Sequence, residues 1–353
     1  MKRKLKISIA TLLSLTLFAV TLSGCDKKES NETTENKVET TAGDLSESET
    51  ETEEVVGKVA HPQIEYSYAT KEEGIEYLIS NDGYYDRFTQ NDLDYKAQKI
   101  GANMEEYTEF AKEQVLDFTE EQKQAIDEIM NYIEVRLEEE GLTFPEIEPI
   151  VLISTTQKEE CEPAAYTHGT HIFFNAEYMA NPGTGIYAKL LMTHEIFHCI
   201  TRSNPEFRKE MYKLIHFTVQ DEEFEIPPSV LEYYITNPDV EHHNSYATFT
   251  INGEKIDCFT AMITTKHFEN EGESFLDYMT TALVPIDGSD VYYLPEDASD
   301  FYDVFGNNTG YVIDPEECMA DNFSYAVIYG IDGPQGQGYE SPEIIKGIIY
   351  YLK

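Results

Sequence analysis

The sequence predicts a mixed α+β fold, with a helical N-terminal part and a small mixed sheet lying above two further helices. Three observations support this class. A 3.6-residue apolar period runs from about residue 119 to 141, two β-rich runs cover residues 149–153 and 169–176, and a largely apolar helix-like run covers about residues 185–201. Helices and strands that are segregated along a chain in this way are typical of α+β domains.

The N-terminus has the organisation of an export signal. A basic start over residues 1–6 precedes an apolar run over residues 7–22, and residues 22–25 are Leu-Ser-Gly-Cys. This pattern is typical of a signal peptide over residues 1–24 and not of a membrane-spanning helix. The four residues resemble the bacterial lipobox, which implies lipidation of Cys25 and a lipid anchor on the extracytoplasmic side of the cell membrane. A plain secretory signal with an incidental cysteine is the alternative.

Composition divides the rest of the chain. Residues 25–60 are rich in Glu, Thr, Ser and Asn and hold almost no large apolar side chain, which predicts a disordered acidic tether. We expect a helical region over residues 61–147 and a larger region over residues 148–353, with an insertion at about 203–310. The net charge of −42 argues against nucleic acid as a partner.

Local signals predict one long helix and one hairpin. Thr119 and Gln122 have the spacing of a capping box, apolar residues follow at helical spacing, and Gly141 is a residue type that commonly ends a helix. Residues 246–251 and 255–259 flank Asn-Gly at 252–253, which predicts two strands joined by a tight turn.

The motif His194-Glu195-Ile196-Phe197-His198 lies inside the helix-like run near residue 195. Two histidines at positions i and i+4 lie on one face of a helix, close enough to bind one metal ion. Glu195 is offset by one residue and can therefore reach a water molecule at that metal. The alternative is a core helix in which hydrogen bonds satisfy both histidines, although an apolar core rarely holds three such residues on one turn.

A catalytic zinc ion needs a third protein ligand and one open position. Metzincins carry Gly and His at fixed offsets after the first motif, and this chain has neither there, which excludes that class. The best source is a second helix beginning near Pro315, where Glu317 and Asp321 are four residues apart and share a face. Glu316 is the neighbouring rival, but its offset of five from Asp321 breaks the shared face.

With these two motifs the chain resembles the gluzincin branch of the zinc metallopeptidases, whose site is thermolysin-like, over about residues 149–328. The resemblance implies a zincin-like fold and a Zn²⁺ ion bound by His194, His198 and Glu317. It also implies that Asp321 hydrogen-bonds the first histidine and fixes its orientation. The motifs stand 119 residues apart (317 − 198), much farther than in thermolysin itself, so an inserted region must fill the gap.

The resemblance also suggests where a substrate binds. The strand just before the metal-binding helix would form the exposed edge of the sheet above the metal, and an extended peptide can add to such an edge by main-chain hydrogen bonds. Asn175 and Ala176 resemble the Asn-Ala pair at the substrate edge of thermolysin-like peptidases. An ordinary strand end is the alternative.

We therefore expect a surface-anchored zinc-dependent metallopeptidase that hydrolyses peptide or protein substrates, with Glu195 as general base. A tyrosine or histidine should stabilise the negative charge on the substrate carbonyl. His243 and Tyr246 are the preferred candidates, ahead of His242 and Tyr311. Two other functions stay open: a non-catalytic zinc-containing lipoprotein that binds a substrate or adheres to one, and a peptidoglycan amidase.

Overall fold

The computed structural model describes residue 59, residues 62–80 and residues 83–353. The predicted signal peptide, Cys25 and nearly all of the predicted tether lie outside these residues. The described part contains eleven α-helices and nine strands, which confirms the mixed α+β class. No helix within the described ranges is both long and apolar enough to cross a bilayer.

The helices are α1 (Lys71–Ile79), α2 (Gln90–Lys96), α3 (Met104–Gln114), α4 (Glu120–Glu140), α5 (Ala176–Met179), α6 (Ile186–Ser203), α7 (Pro205–Lys213), α8 (Pro228–Leu231), α9 (Phe301–Phe305), α10 (Pro315–Tyr329) and α11 (Pro342–Leu352). The strands are β1 (Tyr66–Tyr68), β2 (Val115–Leu116), β3 (Ile150–Thr155), β4 (Ala165–His168), β5 (His171–Phe174), β6 (Thr218–Val219), β7 (Ser245–Ile251), β8 (Glu254–Thr264) and β9 (Met279–Pro285).

The first sheet is mixed and is built around β3. Strand β3 pairs parallel with β1 and with β5, β2 pairs antiparallel with the end of β3, and β4 lies antiparallel to β5. The expectation that the strand just before the metal-binding helix forms the free edge is wrong, because that strand is β5 and it lies between β3 and β4. The edge strand β4 has only four residues, too few to show a clear alternating pattern in the sequence.

Successive side chains of these strands point to opposite faces of the sheet and pack into two separate apolar cores. Leu152, Ile172 and Phe174 pack into the larger core, together with α4, α6, α10 and α11. Ile153 and Phe173 point to the opposite face and pack with α1, α2 and α3. Helices therefore cover both faces of the sheet, with the N-terminal helices α1–α3 on one side and the motif-bearing helices on the other.

The second sheet is antiparallel, in the order β6-β7-β8-β9, and lies within residues 203–310. The predicted hairpin is confirmed, since β7 and β8 pair up to Ile251 and Glu254. Asn252 and Gly253 have φ values of 52° and 86°, as a type I′ turn between two residues requires.

Helices α6 and α10 bring the two motifs together. Phe197 on α6 packs against Phe323 on α10 with ring centroids 5.2 Å apart. Helix α10 begins at Pro315, as predicted, and the Asp314 carboxylate accepts the Glu316 N–H at 2.9 Å. The geometry of one helix against the other thus sets the distances within the site.

The predicted capping box of α4 is present and provides a test of the fold. The Thr119 hydroxyl accepts the Gln122 N–H at 3.2 Å, and the Gln122 side chain accepts the Thr119 N–H at 2.9 Å. We expect Thr119→Ala to lower the free energy of unfolding by about 1 kcal/mol, because the Gln122 N–H loses its side-chain acceptor. Urea denaturation measures the change. The control Glu138→Ala, at an exposed position on the same helix, should change it by less than about 0.5 kcal/mol.

Candidate metal centre

The structure brings three predicted metal ligands into one cluster. The Glu317 Oε2 atom lies 3.0 Å from His194 Nε2 and 3.7 Å from His198 Nε2. One ligand atom from each of the three side chains lies within 4.8 Å of the other two, and all three residues are buried. A buried group with two imidazoles and one carboxylate at these distances could hold a metal ion.

Each histidine ring is oriented by a second carboxylate. His194 Nδ1 lies 3.0 Å from Asp321 Oδ1, which is the contact that the sequence analysis expected. His198 Nδ1 lies 3.1 Å from Glu316 Oε1. A carboxylate at Nδ1 selects the tautomer that leaves Nε2 free to bind a metal, so both Nε2 atoms are available at the same place.

Glu316 is a site residue that the sequence analysis rejected as a rival ligand. Besides His198, its carboxylate accepts the Thr201 hydroxyl at 2.6 Å and the Tyr212 hydroxyl. Burial alone would raise the pKa of Glu316, but the hydrogen bond and charge of His198, together with the charge of Arg208 and the hydrogen bond from Thr201, lower it to about 2. The residue is therefore ionised. Its position directly before Glu317 was the only signal that the sequence offered, and its contact with His198 comes from the tertiary fold.

The carboxylates also set the charge of the histidines. Burial disfavours a positive charge on His194, but its hydrogen bonds to Asp321 and Glu317 outweigh burial and raise the pKa of the imidazole well above its ordinary value. For Glu317 burial is likewise outweighed, chiefly by the hydrogen bond to His194, and its pKa is lowered. The pocket thus stabilises a positive charge between these groups. A bound metal cation would supply that positive charge in place of the imidazole protons.

Two buried atoms at the centre have no hydrogen-bond partner among the described residues: Glu195 Oε2 and His198 Nε2. Buried polar atoms are rarely left without a partner. His198 Nε2 belongs to the three-residue cluster, so its missing partner fits a metal ion. Glu195 Oε2 fits a water molecule or substrate group beside that ion. Burial, followed by the charge of Asp239, raises the pKa of Glu195 to about 8.

Asp239 forms a second close group with Glu195 and His198. This group is not a second metal site alongside the first. His198 Nδ1 is occupied by Glu316, and its remaining nitrogen can bind only one ion. Asp239 is therefore a further carboxylate beside Glu195, supplied by the loop between α8 and β7. No motif in the sequence pointed to it.

Asp239 also occupies the free edge of the first sheet. Its Oδ1 atom accepts the backbone N–H of Thr167, on edge strand β4, at 2.8 Å. Arg202 donates to the Gly169 carbonyl at 3.0 Å. The predicted substrate-edge residues are elsewhere: the Asn175 side chain caps α5 by accepting the Tyr178 N–H, and Ala176 is the buried first residue of that helix.

The predicted charge-stabilising residues are not in contact with the metal ligands. His243 Nε2 lies 2.8 Å from the Tyr234 hydroxyl, and Tyr246 is on β7 with its ring beside Phe224. Tyr311, ranked lower in the sequence analysis, donates from its hydroxyl to Glu317 Oε1 at 3.3 Å. Burial and the charge of Glu317 raise the pKa of Tyr311 well above its ordinary value, so the phenol stays protonated.

Comparison with known proteins adds no relative to this description. No family model, curated protein or solved structure matches the chain.

The two carboxylates behind the histidines lead to a metal-binding prediction. We expect Glu316→Gln and Asp321→Asn each to weaken Zn²⁺ binding by about 10–100-fold, because each histidine loses the negatively charged acceptor that orients its ring and raises its basicity. Competition with a chromophoric chelator measures the affinity. Glu206→Gln, which changes an exposed acid on α7, should leave it unchanged. Unaltered Zn²⁺ affinity in both site variants would contradict the assigned orientation of the rings.

Proposed function

We propose that this chain is a zinc-dependent metallopeptidase of the gluzincin type, with a zincin-like catalytic region. One observation carries the proposal: His194, His198 and Glu317 converge in a buried cluster while Glu195, one residue along α6, keeps a buried oxygen without a partner. A chain that only bound a structural metal would not need a free carboxylate there. The predicted lipid anchor at Cys25 would hold this enzyme on the outer face of the cell membrane.

The donor set favours zinc as the metal. Two imidazole nitrogens and one carboxylate oxygen are the protein ligands of one class of catalytic zinc sites, in which a fourth position stays open. Bound there, a divalent metal polarises a substrate carbonyl and lowers the pKa of a water molecule toward neutrality.

Glu195 is placed to move the proton. Its free Oε2 atom can accept a proton from the attacking water and later donate it to the leaving amine, as a general base and then a general acid. Burial and Asp239 favour the protonated form of Glu195, whereas a divalent cation held by its neighbours acts in the opposite direction. The balance of the two allows one carboxyl group to accept and release a proton near neutral pH.

Tyr311 is the best-placed donor for the charge that develops on the substrate. It is protonated, and its ring centroid lies 6.1 Å from that of His194. In the absence of substrate its hydroxyl donates to Glu317 Oε1. We propose that Tyr311 takes the role first considered for His243 and Tyr246, because it alone of the three contacts a metal ligand within the described residues.

Two variants of the full-length protein test the function. Glu195→Gln should keep one Zn²⁺ per chain and lose cleavage of a peptide library by about 10²–10⁴-fold, since only the proton acceptor is removed. Glu317→Ala should lose the metal. Elemental analysis and mass spectrometry of the library measure both properties.

The outcomes separate the candidate functions. Cleavage by the parent protein but not by Glu195→Gln supports a peptidase. One Zn²⁺ per chain with no peptide cleaved by the parent would overturn it, and release of fragments from peptidoglycan would then favour the amidase. Full Zn²⁺ occupancy in Glu317→Ala would overturn the assignment of the third ligand.

A further inference from the structure

A loop segment from outside the two metal helices reaches the metal centre. Residues 236–240, here called the strap, lie between α8 and β7 and read Thr-Asn-Pro-Asp-Val. The strap brings Asp239 next to Glu195 and His198, and it brings Asn237 to Glu317. Neither residue belongs to the motifs that identify the site.

Asn237 has a defined orientation. Its Oδ1 atom accepts the backbone N–H of Asp239, two residues along, at 2.9 Å, which forms an Asx turn. The Nδ2 group is therefore the part of the amide that faces Glu317, and it donates to Oε1 of that carboxylate. Tyr311 donates to the same oxygen at 3.3 Å.

The two oxygens of Glu317 thus have different roles. Oε1 accepts hydrogen bonds from Asn237 and Tyr311, whereas Oε2 is the oxygen nearest to both histidine Nε2 atoms. A carboxylate whose oxygens were both free could bind a metal through both and fill an additional coordination position. Donors on Oε1 disfavour that arrangement, and a catalytic zinc site requires an open position.

The strap itself is held by the N-terminal helical region. The Asp92 carboxylate accepts the Thr236 N–H at 2.7 Å, and Lys96 donates to the Thr236 carbonyl at 2.9 Å. Asp92 and Lys96 are fully buried. At the other end, Arg87 donates to the Val240 carbonyl at 2.6 Å. The main chain is therefore fixed on both sides of Asn237 by residues of a different layer of the fold.

We propose that Asn237 is a positioning residue that restricts Glu317 to one metal-binding oxygen, and that the N-terminal helical region keeps it in place through the strap. The inference rests on the metal site of the proposed function and not on which bond the protein cleaves. It gives the N-terminal region a role in metal coordination, although that region contributes no ligand.

Two substitutions isolate the hydrogen bond to Glu317. Asn237→Ser keeps a short side-chain oxygen that can accept the Asp239 N–H, but it cannot reach Glu317. Asn237→Asp keeps the size and the turn, but it replaces the donor with an acceptor. The matched control is Asn308→Ser, because the Asn308 amide makes hydrogen bonds to Asn322 and Ser341 that do not touch a metal ligand.

The measurements use the purified full-length protein and need no substrate. Chelator competition should give Zn²⁺ affinities about 10–100-fold weaker in both Asn237 variants than in the parent. With Co²⁺ in place of Zn²⁺, the visible absorption should weaken in the Asn237 variants, as expected when coordination number rises. Arg87→Met, which releases one end of the strap, should change both readouts in the same direction but by less.

Other results would overturn the proposal. It fails if the Asn237 variants match Asn308→Ser in both Zn²⁺ affinity and Co²⁺ spectrum, or if the parent protein binds neither metal. A parent that binds Zn²⁺ but cleaves no peptide would contradict the peptidase assignment alone, and the spectra would still decide the role of Asn237.

Discussion

The candidate site depends on positive charge that compensates the carboxylates buried between α6 and α10. In the described part of the chain, five carboxylates lie around the two motif histidines and two guanidinium groups lie among them. The carboxylates are those of Glu195, Asp239, Glu316, Glu317 and Asp321, and the guanidinium groups are those of Arg202 and Arg208. Ionised carboxylates are not buried without compensating positive charge. Without a metal, burial therefore favours a proton on Glu195, and the other carboxylates favour protons on the histidines. A metal cation would supply the same compensating charge. The pocket therefore favours a positive charge at its centre, and hydrogen bonds from α6 and from the strap hold the acids in place.

Three layers of the fold share that task. The pair α6 and α10 supplies the ligands and the carboxylates that orient them, since both motifs lie on helix faces in contact. The strap supplies Asn237 and Asp239, and Asp92 and Lys96 of α2 hold the strap through its Thr236 backbone. A change in the N-terminal region can consequently reach the metal centre through main-chain hydrogen bonds, without altering a ligand.

The residues of the site that could be predicted are those related by their spacing along a single helix. The i, i+4 pairs His194/His198 and Glu317/Asp321 depend only on helix periodicity, so the sequence located both. Glu316 was set aside because its offset of five from Asp321 breaks the shared helix face, and the sequence does not show that it faces His198 instead. Asn237 lies 80 residues from Glu317, and no periodicity connects them; only the tertiary fold does. The positions of β4 and β5 in the sheet could likewise not be predicted, because strand pairing depends on partners that are distant in sequence. His243 and Tyr246 were chosen by residue type alone, and residue type does not specify which tyrosine faces the ligands.

The edge of the first sheet is connected to Glu195 through Asp239. Thr167 directs its backbone N–H away from β5 and toward Asp239. Because backbone groups alternate along an antiparallel pair, the N–H and C=O of Ala165, two residues earlier, also point away from β5. A peptide that added along β4 would need the Thr167 N–H that Asp239 now accepts. The carboxylate that would be displaced also raises the pKa of Glu195. A peptide added at this edge would therefore release Asp239 from Thr167 and change the electrostatic environment of Glu195, the proposed general base, in the same event. The β4 edge and Glu195 are coupled through one side chain, and that side chain belongs to the strap.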